Sequence, residues 1–296
     1  MDLGGFTEEM KKRIAAKMGE DYVVERCRVL KNNGVQLEGI SVRKKGNLIS
    51  PNLYMQHFYQ RFLQNEPLEE LVDDVIFCVE QKCRDQDLDI ENFADFEKAK
   101  ERIAFKLINF ERNWELLQNV PYERFMDLAK VYYYLFPGSE RGQIASVLIS
   151  YEHLSCWGIS EQTIKTYAAR NTPRLLPPAI IGMRELFAKM MKKDLFAGEP
   201  EAEFPMYVMS NDNRVNGAAT MAYPDTIRNF AKTLGTNLYV IPSSIHEVIL
   251  IPENGDTEEM NRMVSEVNRT ALDPMEVLAD HIYFYDRKDN ILAVLQ

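Results

Sequence analysis

Residues 206–252 read MYVMSNDNRVNGAATMAYPDTIRNFAKTLGTNLYVIPSSIHEVILIP, and the alternation within this stretch decides the fold. It opens as a strand and passes into an Asn/Gly-rich turn. Pro224 then opens a helix whose stripe is Ile227, Phe230, Ala231 and Leu234, and Gly235 closes it. Leu238 to Pro242 and His246 to Pro252 form two strands joined by Ser243-Ser244-Ile245. A helix between hairpin strands, without regular strand–helix–strand alternation, argues for antiparallel sheet over a doubly wound parallel one.

The same grammar extends outward. Downstream, Thr257 is expected to cap a helix with Met260, Met263, Val264 and Val267 inward. Asp273-Pro274 opens a last short helix, and His281–Tyr285 with Ile291–Leu295 make a final hairpin. Upstream, Ile103–Phe110, Leu128–Phe136 and Ile144–Ser150 read as strands, and Tyr132, Tyr133 and Tyr134 suit a strand packed on both faces. Ser160 caps a helix that Pro173 is expected to stop, and Met183–Phe196 is a Met-rich amphipathic helix. Its basic face, Lys189, Lys192 and Lys193, reads as solvated, and residues 197–205 as a linker.

Near the N-terminus, Thr7 is expected to cap a helix ended by Gly19. Tyr22–Leu30 and Val35–Val42 flank the turn Asn32-Asn33-Gly34. Ser50-Pro51 opens a helix with stripe Tyr54, Phe58 and Phe62, and Pro67 opens another. The expected organisation is a helix–hairpin–helix–helix region over residues 1–90 and an α+β body over 101–296, separate or joined in one unit. The helices 160–171 and 257–268, each after a two-stranded hairpin, admit a duplicated ββα unit. The fold class expected is α+β, mainly antiparallel sheet built from hairpins with helices packed on it.

The segments ISPNLYMQHFYQRF, MYVMSNDNRVNGAATMAYPD and LYVIPSSIHEVILIP resemble those of an uncharacterised bacterial family of unknown function, over nearly the whole chain. The resemblance implies a soluble bacterial protein. It carries no known activity, cofactor or catalytic residue, so no role transfers to any residue here.

Composition narrows the function classes. Thirty-five basic against forty-five acidic residues leave a net charge of -10, which opposes nucleic acid and anionic membrane as partners. No apolar run reaches the roughly eighteen residues of a membrane-spanning helix, and the first residues lack signal-peptide order. Four scattered cysteines favour a reducing cytoplasm. Residues 85–92, DQDLDIEN, open like a calcium loop, but Ile90 stands where glycine is needed and Phe96 where a bidentate glutamate should sit. No metal and no cofactor are expected.

Two sets of residues carry candidate chemistry. In the hairpin, His246 and Glu247 are neighbours in a strand and point to opposite faces, so they cannot share one metal or proton. Ser243 and Ser244 stand beside His246 but lack the G-x-S-x-G elbow of a serine hydrolase. In the turn, Asn211, Asp212, Asn213, Arg214 and Asn216 are either turn-forming or ligand-binding, and are neither an EF-hand nor a phosphate loop. A hairpin folded back on this turn would let both sets line one pocket. The reading is a cytoplasmic interaction or ligand-binding protein without catalysis, its partner a protein or a small polar ligand. The alternative is a small-molecule or peptide hydrolase using the Ser243/His246 region.

Overall fold

The structure is a computed structural model that describes residues 1–45, 52–85, 90–137, 146–191, 205–253 and 257–295. The chain divides into two units, Met1–Ile90 and Glu91–Gln296.

In the first unit, helix α1 (Leu3–Met18) precedes strands β1 (Tyr22–Leu30), β2 (Gln36–Lys44) and β3 (Asn52–Tyr54), followed by α2 (Gln56–Leu63) and α3 (Leu68–Asp85). The strands form one antiparallel sheet in the order β1-β2-β3. Its hairpin turns at Asn33 (φ 59°) and Gly34 (φ 73°), residues that tolerate the left-handed region. Phe6, Met10 and Ile14 of α1 meet Ile40 and Val42 of β2 and Leu71, Val72, Val75 and Val79 of α3 in a closed core.

Two expectations change here. The cap of α1 is Asp2, whose Oδ1 accepts the Gly5 N–H at 2.8 Å, and not Thr7. Thr7 is buried one turn inside, donating to the Leu3 carbonyl at 2.8 Å, so an internal bond meets its hydroxyl. Tyr54 belongs to β3, opposite Gly39, because pairing with β2 satisfies a backbone that the helical stripe would have withdrawn. Ser50-Pro51 and residues 86–89 of the acidic joint lie outside the described residues.

The second unit opens with two short helices, α4 (Ile90–Ala94) and α5 (Phe96–Ala99), the first straddling the boundary between units. Strand β4 (Ile103–Asn109), helix α6 (Trp114–Leu117) and strands β5 (Tyr122–Phe125), β6 (Leu128–Leu135) and β7 (Ser146–Leu148) follow. β6 is central, with β4 on one edge and β5 and β7 in succession on the other. Tyr132, Tyr133 and Tyr134 are all buried, as a strand covered on both faces requires.

Helices α7 (Tyr151–Trp157) and α8 (Glu161–Leu175) come next. α8 takes the place of a strand beside β4. Asn171 Nδ2 donates to the Ile103 carbonyl at 3.2 Å, and the Phe105 N–H donates to Thr172 Oγ1 at 2.9 Å. Side chains thus satisfy backbone groups that an open sheet edge would leave to solvent. These anchors, with buried Leu176 donating its N–H to Thr172, carry α8 past Pro173, which lies inside the helix rather than ending it.

Strand β8 (Pro178–Gly182), helix α9 (Met183–Met191) and strand β9 (Tyr207–Asn211) lead into a 3-10 segment, Gly217–Ala222, and helix α10 (Thr226–Leu234). Strands β10 (Leu238–Ser244) and β11 (Glu247–Pro252), helix α11 (Thr257–Thr270), and strands β12 (Tyr283–Asp286) and β13 (Ile291–Val294) complete the unit. The second sheet runs β13-β12-β10-β11-β9-β8, every neighbour antiparallel. On one face Val248 and Leu250 pack with Met209, Val240, Ile227, Ala231 and Tyr283, joined by Leu107 and Leu128 of the smaller sheet. On the other, Tyr239 and Ile251 meet Val264 of α11 and Ile282. The fold class is therefore α+β, antiparallel sheets with helices packed around them.

Two further readings are corrected. Asp273-Pro274 opens no helix: Asp273 Oδ1 accepts the Met275 N–H and its carbonyl the Glu276 N–H, both at 2.8 Å, which closes a tight turn. Val267 is 43% exposed, and Asn268 faces inward instead, donating to the Ala279 carbonyl at 2.8 Å. Of the expected helix Met183–Phe196, residues 183–191 are helical, with Lys192 and Lys193 outside the described residues. In the hairpin–helix echo, α11 follows β11 without another helix between, whereas α7 stands between β7 and α8.

Candidate functional site

β10 and β11 meet at the turn Ile245-His246, after a register shift between Ile241 and Ser244. β9 pairs with β11 and ends at Asn211, which brings the Asn/Gly-rich loop against the hairpin end. A set of hydrogen bonds holds them together. Ser210 Oγ donates to the His246 carbonyl at 2.7 Å, and the Ala218 N–H to the Ile245 carbonyl at 3.2 Å. Asn211 folds the loop on itself, its Nδ2 donating to the Val215 carbonyl at 2.8 Å and its Oδ1 accepting the Val215 N–H at 3.4 Å. Gly217 sits at the crossing, where a Cβ would overlap Ser210 Oγ and the His246 carbonyl oxygen.

His246 is hydrogen-bonded through its backbone and one ring nitrogen. Its N–H donates to Ser244 Oγ at 3.0 Å, and its Nδ1 accepts the Asn216 N–H at 3.1 Å. An imidazole that accepts at Nδ1 carries its proton at Nε2. There, 3.6 Å away, lies Glu276 Oε1. Glu276 also accepts the Ile245 N–H on its backbone carbonyl at 2.8 Å, which ties the 273–277 turn to the hairpin.

The structure thus joins Ser210, Asn211, Asn216, Ser244 and His246 in one cluster. Asp212 and Arg214 are exposed at its rim and Asn213 is half-buried there. Ser243 and Glu247 are half-buried in β10 and β11, and Glu247 lies opposite Ser244 in register. Sequence reasoning missed Glu276, thirty positions from His246 and on a segment read as helical; no spacing signal marks it. It also missed Tyr133, whose fully buried hydroxyl has no hydrogen-bond partner and is approached by the Asn216 side chain without hydrogen-bond geometry. Burial pushes that phenol up.

A second polar cluster was equally invisible. Tyr283 donates to Asp127 Oδ1 at 2.9 Å, and His281 Nε2 lies 3.4 Å from Oδ2. Burial would raise the Asp127 carboxyl, yet His281 and Tyr283 more than offset it and hold it below the ordinary carboxylate range. A depressed folded value adds stability that is present above the unfolded carboxylate range and lost as pH falls through the folded one. Asp127→Asn should therefore narrow its stability deficit against the parent as pH is lowered from about 5 to about 3. Urea midpoints at a series of pH values measure this, and a deficit constant across the range would rule it out.

Among the described residues no three His, Cys, Asp or Glu side chains converge as metal ligands would. Cys27 and Cys78 are free and partly exposed, and Cys156 is free and exposed. No helix among the described residues is long and apolar enough to cross a membrane. Two shallow grooves lie away from the His246 cluster, one along α8 by Ser160, Thr163 and Arg170, the other between β8 and α10 by Ile180 and Phe230.

Sheets of this topology, with a polar clamp at the β10–β11 end, define an α+β protein built on antiparallel hairpins. Residues 4–287 match the model of a family described as of unknown function, DUF5688, and the chain belongs to that family. No curated protein and no solved structure matches it.

Proposed function

We propose that this protein is a non-catalytic binding protein of the bacterial cytoplasm, which presents the 212–216 loop to a polar surface on a partner protein. One observation carries the reading. Ser210, Asn211, Ser244 and the Nδ1 of His246 are all committed to backbone groups, while Asp212 and Arg214 stand exposed on the loop they brace. Buried polar groups satisfied in this way make a rigid platform. Free thiols at Cys27, Cys78 and Cys156 suit a reducing compartment. The net charge of -10 favours a protein or small polar ligand over nucleic acid or anionic lipid.

The second reading, hydrolysis by the Ser243/His246 region, draws its support from Glu276, a carboxylate beside the imidazole. It needs a base nitrogen with a lone pair directed at a serine. In the observed geometry the lone pair at Nδ1 takes the Asn216 N–H, and Ser244 Oγ takes the His246 N–H.

A serine-directed fluorophosphonate separates the two. The expected result is no labelling of Ser243 or Ser244 in the folded protein. Labelling abolished by Ser244→Ala or Ser243→Ala, with unchanged melting, would establish the hydrolase. For the leading reading, proteins retained by the parent should be lost when Asp212→Lys and Arg214→Glu reverse both exposed charges without changing the melting temperature. Equal retention by the reversed variant would remove the loop as the contact surface.

A further inference from the structure

We propose that His246 is a proton-operated latch on the 212–216 loop. With the ring neutral, Nδ1 holds the Asn216 N–H at 3.1 Å and the Nε2 proton faces Glu276 across 3.6 Å. The second proton of an imidazole enters at the nitrogen that lacks one, here Nδ1. That nitrogen then becomes a donor, and two N–H groups stand head to head. The bond to Asn216 is lost. The same proton makes the ring cationic beside the Glu276 carboxylate, which strengthens the contact at Nε2. Both changes move the imidazole from the loop toward the 273–277 turn.

Glu276, from the 273–277 turn, is the anion in contact with the ring. β10 contributes the neutral Ser244 hydroxyl, and β9 the neutral Ser210 hydroxyl on the His246 carbonyl. Tyr133, under Asn216, is kept neutral by burial. Asp212 and Arg214 lie exposed on the loop itself, and Glu247, the first residue of β11, is half-buried opposite Ser244 in register.

Arg214 (φ 53°) and Asn216 (φ 54°) occupy the left-handed region, where non-glycine residues stay when their surroundings hold them. The Ser210 and Asn211 bonds do not involve the ring nitrogens, and those of Asn211 keep hold of Val215, so the opening is confined to the Asn216 end of the loop. The sign follows from the donor and acceptor roles. The Asn216 bond exists above the imidazole's titration and is lost as pH falls through it, while the Glu276 contact strengthens over the same range. These two act oppositely on global stability and together on the loop. Control of Asp212 and Arg214 by the latch rests on the binding reading above. The latch itself does not, because the loop amides report it directly.

The test is amide hydrogen exchange by NMR on the full chain between about pH 7.5 and pH 5, as protection factors that remove the intrinsic pH dependence. Protection at Asn216 should fall on the order of tenfold as His246 takes up its proton, with Leu250 unchanged. In His246→Asn the amide oxygen can stand in for Nδ1 as an acceptor that does not titrate, and protection at Asn216 should stay flat. Flat protection in the parent, or an equal fall in His246→Asn, overturns the latch. Should His246→Asn not fold, ring nitrogen shifts in the parent decide. Protonation at Nδ1 that coincides with loss of Asn216 protection supports the proposal, and protonation without that loss ends it.

Discussion

Gly217→Ala should destabilise the protein by about 3 kcal/mol, since a methyl here meets closer neighbours than at the other described glycines for which contacts are given. The new Cβ would overlap Ser210 Oγ and the His246 carbonyl oxygen and lie 2.8 Å from the Asn211 nitrogen. Ser210 could rotate away, but only by abandoning its bond to His246. The other two obstacles are backbone atoms, one in the hairpin turn and one at the end of β9. Relief therefore requires the loop and the hairpin to separate, with loss of the Ala218 and Asn216 bonds that join them. Gly182→Ala is the control: a Cβ there meets nothing within 4 Å, and the change should stay within about 0.5 kcal/mol. Urea denaturation of both variants measures the contrast. A Gly217→Ala midpoint equal to that of the parent would mean that the loop does not need this close approach.

Leu250→Ala should cost about 2–5 kcal/mol, as removal of a fully enclosed leucine does where the site cannot collapse. Leu250 has no exposure and lies opposite Val240 and Tyr207 in register. Its cluster draws on the paired strands β9, β10 and β12 and on α10 packed against them, so little can move into the cavity. Ile249, on the opposite face of the same strand, is only partly buried beside α11 and should lose less on the same truncation. An apolar run without alternation, as in β11, does not say which of its two faces is the better covered. Equal losses at 249 and 250 would contradict the assignment of faces.

Much of the fold was legible without coordinates because its signals are local. Asn33 and Gly34 mark a turn since they tolerate positive φ, and Tyr22–Leu30 was read with its observed bounds. Gly235 ends α10 in the left-handed region, and Ser160 caps α8 by accepting the Thr163 N–H at 3.2 Å. Such residues act on the backbone within one turn of themselves, so their meaning survives in the sequence alone. The antiparallel character of the sheets followed from the same hairpins.

What failed was local evidence that a distant contact outweighed. Pro173 did not stop α8, because Asn171 and Thr172 bind β4 across some seventy residues of chain. Val267 yielded its inward place to Asn268, whose amide completes the turn before β12. The residues of the His246 cluster were readable as types, a histidine near serines and a turn rich in asparagine. Their roles were not, because a ring nitrogen is made acceptor or donor by what it faces. Only the tertiary structure set Asn216 at Nδ1 and Glu276 at Nε2, and only it put Asp127 between His281 and Tyr283. Periodicity and caps report the backbone within a few residues, whereas a hydrogen-bonded site joins side chains whose separation along the chain is set by sheet pairing.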